Sequence, residues 1–158
     1  EVEDRLKFLT DQVERITGLQ EFGVYLNKLF TIDAIFLNED RHMHNIAVMM
    51  NGKGEFDYCP IFDNGGALLT DTTMDYPLDQ DELLLMKEVH AKTISSDFDE
   101  QLDASEHFYG RNLRFSFTKK DVERLLAKPE LNMYDMRIRT RVTNIFYQQM
   151  NKYKYLFY

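Results

Sequence analysis

Residues 36–63, FLNEDRHMHNIAVMMNGKGEFDYCPIFD, decide how this chain is read. Two apolar runs, Ile46 to Met50 and Phe56 to Phe62, flank the turn-forming Asn51-Gly52-Lys53-Gly54. Short apolar runs joined by such a turn predict a β-hairpin. A hairpin returns its two ends to one place. Asn45, just before the first run, and Asp63, just after the second, should therefore become neighbours. Asp40 stands five residues ahead of Asn45, in a short polar loop. The expected result is two carboxylates and an amide oxygen converging at the mouth of one cleft. Hard divalent cations such as magnesium take oxygen ligands of this kind, with phosphate oxygens completing the shell.

Outward from this stretch the pattern is helical. Val2, Leu6, Leu9, Val13 and Ile16 recur at steps of three and four, predicting an amphipathic helix over residues 1–16 that Gly18 stops. A second helix follows with Leu19, Phe22, Leu26, Leu29 and Phe36 inward. Asp33 shares the phase of that apolar face. A carboxylate buried there needs a partner, such as a backbone group or Arg41, and it would brace the loop that follows. Beyond the hairpin, residues 81–95 read as a helix apolar nearly all round at its start and packed on the first helices. Residues 96–109 read as a short acidic helix that Gly110 ends. Thr118 with Asp121 predicts a capped helix that Pro129 closes, and a last helix starts near Asn132. The aromatic tail YKYLFY should pack rather than bind. The fold class expected is mainly α with one β-hairpin, as a single domain over 1–158.

The spacing has a further meaning. In protein kinases a catalytic Asp and a metal-binding Asn stand five apart, and a second metal-binding Asp follows a hairpin. Asp40, Asn45 and Ile61-Phe62-Asp63-Asn64-Gly65 stand in that order here. Eukaryotic protein kinases place His-Arg before the catalytic Asp, whereas Arg41 and His42 follow it. Asp40-Arg41-His42-x-x-Asn45 resembles the atypical kinases: the lipid kinases of the phosphatidylinositol family and the bacterial HipA-like Ser/Thr kinases. PIFDNGGALL, residues 60–69, looks more like the HipA-like branch. The resemblance covers Asp33 to Leu69 and is only general elsewhere.

That resemblance implies the helical C-terminal lobe of a protein-kinase-like fold, using ATP and Mg2+ to phosphorylate a protein hydroxyl. Asp40 would be the catalytic carboxylate, with Arg41 and His42 supplying charge or hydrogen bonds near the transferred group. Asn45 and Asp63 would hold the metal and, through it, the nucleotide. It also implies a DNA-binding antitoxin as a possible partner. Kinases further need a Gly-rich phosphate loop and a strand Lys. Nothing before Asp40 reads as either, since Lys7, Gly18, Gly23 and Lys28 sit in helical segments. The N-terminal lobe is therefore expected to be missing from this chain, which would be inactive alone.

Two other readings stand beside this one. His42-x-His44 with Asp40 or Cys59 could bind zinc, and Asp40, His42, His44 and Asp63 could serve a metal-dependent hydrolase. Alternatively, a kinase-like fold without catalysis could offer an acidic surface to a partner. Residues 70–82, TDTTMDYPLDQDE, are either a substrate-binding segment or a solvated connector with Asp79 or Asp81 capping the next helix.

Composition bounds all of these. A chain of 158 residues, 44% hydrophobic, can bury a real core. A net charge of -8 argues against broad contact with nucleic acid or anionic membrane, which need clustered Lys and Arg. The single Cys59 forms no intrachain disulfide and suits a reducing cytoplasm.

Overall fold

Helix signals at both ends of each periodic segment explain most of the architecture. In the computed structural model, which describes residues 1–158, these segments become α1 (Val2–Thr17), α2 (Phe22–Phe36), α3 (Glu82–Glu88), α4 (Phe98–Tyr109), α5 (Lys119–Leu126) and α6 (Met136–Lys152). One two-stranded antiparallel sheet, β1 (Val48–Met50) and β2 (Phe56–Tyr58), completes the mainly helical fold. No helix is long and apolar enough to cross a membrane.

The chain divides into two compact units, each built from two separate stretches. Residues 1–67 and 90–113 form the first, and residues 68–89 and 114–158 the second.

In the first unit α2 is the central element. Phe22, Leu26, Leu29, Phe30, Ala34 and Ile35 are fully or almost fully buried, and the helix packs mainly on α4, which also meets α1. Each such large apolar side chain stabilises the fold by roughly 1.5–3 kcal/mol. Gly23 lets α2 and α4 approach closely. A Cβ there would stand 2.3 Å from the Tyr109 ring. Asn27, also fully buried, is satisfied by Ser105 and Asn112, so the interface carries no orphaned amide at that point. On α1, Leu6 and Thr10 are buried, and Gly18 caps the helix at φ 74 with its N–H on the Glu14 carbonyl. Ile16, expected inward, is 68% exposed.

The hairpin pairs Val48 with Tyr58, Met49 with Asp57 and Met50 with Phe56. It is shorter than residues 46–62. Two residues past the Val48–Tyr58 pair the same register would place Pro60 opposite Ile46, and a proline has no N–H to give the ladder. The turn is held by Asn51, whose side-chain oxygen accepts from the Lys53 and Glu55 N–H groups.

In the second unit α6 is central. Ile145 is fully buried, and Arg141 donates to the carbonyls of Tyr76 and Pro77. Asp81 caps α3, accepting from the N–H groups of Leu83 and Leu84. That helix ends at Glu88 rather than continuing to 95, and Leu83 and Leu84 are exposed. Its packing partner within the unit is α6, so it is not the all-round buried helix its leucines suggested. Apolar Val89, Ala91 and Ile94 are buried, but they lie beyond the helix. Thr118 and Asp121 form a reciprocal capping box on α5. The last helix starts at Met136, later than expected, because a 3₁₀ turn at Pro129–Leu131 and a further turn occupy the chain before the Asp135 cap. In the tail, Tyr153 and Leu156 are buried, and Phe157 packs against Phe115 and Phe117.

Candidate functional site

Asp33, in the last turn of α2, is fully buried, and its partner is Arg41, itself only 1% exposed. Nε of Arg41 lies 3.0 Å from Oδ2 of Asp33, and Nη2 donates to Oδ1. Asn38 adds a third donor to the same carboxylate. Burial pushes the Asp33 carboxyl above the usual carboxylate range, and the hydrogen bonds from Arg41 and Asn38 pull against that rise.

The rest of the guanidinium reaches across the site. Nη1 donates to the backbone carbonyls of Asn45 and Phe62, and Nη2 donates to Oδ1 of Asn64. One side chain therefore binds the loop that carries Asp40 and Asn45 to the residues on either side of Asp63. A second contact brings the same segments together. The Glu39 N–H donates to the Gly66 carbonyl, and a Cβ on Gly66 would stand 2.7 Å from the Asp40 Cβ. Asp40 and Gly66 are in close approach.

Within its loop, Asn45 donates its side-chain N–H to the Asp40 carbonyl at 2.8 Å. This bond uses the amide nitrogen and leaves the amide oxygen as the group able to ligate. The Asp40 N–H in turn rests on the Asn38 side chain, and the Arg41 carbonyl accepts from the Thr93 hydroxyl. Asp63 is solvent-exposed and adopts φ 54, the left-handed region. Among non-glycine residues Asp and Asn enter that region most readily, and such strain collects at functional positions.

His42 places Nε2 3.7 Å from Oδ1 of Asp40, with both side chains nearly half exposed. That distance is too long for a hydrogen bond but close enough for charge attraction once the imidazole is protonated. Its Nδ1 is buried without a hydrogen-bond partner. His44 is exposed and meets the His42 ring edge to face.

Of the residues singled out in the sequence, Asp40, Asn45 and Asp63 lie on segments held together by Arg41 and Gly66. Arg41 differs from its expected part. It was expected to present charge to a transferred group, yet its guanidinium is buried and spent on Asp33, two carbonyls and Asn64. His42, His44, Cys59, Asp40 and Asp63 do not assemble into a zinc-type site. Nowhere do three His, Cys, Asp or Glu side chains stand where they could hold a metal ion together. Sequence reasoning missed Asn38, Asn64, Gly66 and Thr93. Of these, Asn64 and Gly66 lay inside the PIFDNGGALL run, but their contacts with Arg41 and Asp40 were not foreseen. No family model, curated protein or solved structure matches the chain.

Proposed function

We propose that this chain is the catalytic half of an ATP- and magnesium-dependent Ser/Thr protein kinase of the HipA-like kind. The observation that supports the reading is that the buried Arg41 ties the backbone of Asn45, in the Asp40 loop, to the residues on either side of Asp63. The donor chemistry fits magnesium: an amide oxygen and an exposed carboxylate, short of a full protein cage, match an ion that keeps phosphate oxygens and water in its shell. Asn45 and Asp63 would hold it, and when bound it would neutralise charge on the phosphate oxygens of ATP.

Asp40 is the residue that meets the substrate. Half-exposed and fixed through its backbone on both sides, it orients a serine or threonine hydroxyl and accepts its proton. His42, beside it, lends a second polar group at the point of transfer. Positioning and charge neutralisation carry phosphoryl transfer, so a fixed constellation matters more than any reactive side chain. The nucleotide clamp lies outside this constellation. Gly18 and Gly23 serve helix ends and helix packing, and Lys7 and Lys28 are exposed on α1 and α2. The clamp would come from a separate N-terminal lobe, and the partners would be a protein substrate and a DNA-binding antitoxin.

Replacing Asp63 by Asn in the lobe-complete protein should weaken magnesium-dependent ATP binding and phosphotransfer together. Replacing Asp40 by Asn should lower turnover by about 10²–10⁴-fold while leaving ATP affinity near wild type. Both are read with one γ-labelled nucleotide across a magnesium series. Phosphotransfer near wild type in Asp40→Asn would remove Asp40 from the mechanism.

A further inference from the structure

Arg41 uses every face of its fork. Nε and Nη2 hold Asp33, Nη1 holds the Asn45 and Phe62 carbonyls, and Nη2 also holds Asn64. A guanidinium can do this because it is planar with five N–H donors, whereas a lysine ammonium is a single compact charge. Its acceptors are unusual in their distribution. One is the backbone of Asn45, one is the residue before Asp63, and one is the residue after it. The backbone of Asn45 and the residues flanking Asp63 are thus tied by one group that bonds to neither side-chain oxygen. Asp33 fixes that group from behind.

Resting on the functional reading above, we propose that Arg41 is a positioning residue that sets the divalent-cation affinity of Asn45 and Asp63. Asp33 holds the guanidinium, the guanidinium holds both backbones, and the two side-chain oxygens inherit their separation from it. Groups that orient metal ligands without touching the metal commonly change affinity when replaced.

The test is Mn2+ binding by the full chain, followed through the spectrum of the free ion, with thermal unfolding measured on the same samples. Wild type should bind Mn2+, and Asp63→Asn should abolish most of that binding. Arg41→Lys keeps a charge against Asp33 but cannot span the three acceptors, so its affinity should fall by about 10–100-fold. Asn64→Ala removes one exposed acceptor of Arg41 and decides the matter if Arg41→Lys does not fold. It should weaken Mn2+ binding several-fold at an unchanged unfolding temperature. Wild-type affinity in a folded Arg41→Lys, or in Asn64→Ala, would overturn the proposal and leave the metal reading standing. No Mn2+ binding by wild type, or binding indifferent to Asp63→Asn, would overturn the metal reading and this inference with it.

Discussion

Gly66 and Arg41 do opposite things to the same loop: one makes room for Asp40, the other ties it down. A methyl group on Gly66 would meet Asp40 at 2.7 Å, whereas one on Gly65 would meet nothing within 4 Å. Gly66→Ala should therefore destabilise the fold by about 1–3 kcal/mol, the usual cost of overpacking, while Gly65→Ala stays near neutral. Urea unfolding of the two variants checks this, and equal effects would mean the Asp40 loop yields freely. Arg41 carries a pH signature as well. Arg41→Met would strand the Asp33 carboxylate, costing about 3–5 kcal/mol at neutral pH. A carboxyl with a raised folded-state value binds its proton more tightly in the fold than in the unfolded chain. Acidification thus favours folding until the unfolded carboxyl also protonates, near pH of about 4. The deficit of Arg41→Met relative to wild type should shrink as pH falls from neutral towards that value. A deficit that stays constant across unfolding curves would show that Asp33 is not the stranded charge. The helical phase of Asp33 made its burial legible in the sequence, and Arg41 was named as a partner for it. What was not legible was the completeness of that engagement. It depends on the Asn45 and Phe62 carbonyls and on Asn64, whose positions only the folded hairpin determines.

Elements were legible where a period and an end signal agreed. Gly18, Gly110 and the Thr118–Asp121 pair each marked a helix end that the chain respects. Period alone misled. The apolar residues after Glu88 continue the hydrophobic count of α3 but bury themselves beyond the helix, and composition cannot distinguish the two. The hairpin was legible from its turn, yet its length was not, because Pro60 ends the ladder inside the second apolar run. The capping box on α5 gives an element-scale prediction. Thr118→Ala removes the acceptor for the Asp121 N–H and should cost about 1 kcal/mol. Denaturant unfolding followed by helix signal would register it, and Thr118→Ser should restore most of the loss. No change in Thr118→Ala would mean that α5 is held by its packing on α6 alone.

Across the whole molecule, the division into two units had no sequence signal. Linkers, low-complexity runs and composition shifts mark boundaries between consecutive domains, and here the stretches interleave instead. The net charge of -8 was legible from composition alone. Interleaving also has a consequence for how the protein is made. A chain leaves the ribosome from its N-terminus, and compact units fold as their residues emerge. The first unit is complete once residue 113 is out, while residues 68–89 of the second wait for 114–158. During that wait Tyr76 and Pro77 have no Arg141 to bind their carbonyls, and Leu85 on α3 has no α6 to pack against. The order of segments along the gene therefore schedules an interval in which a half-born molecule carries exposed grease, and slower translation would lengthen it.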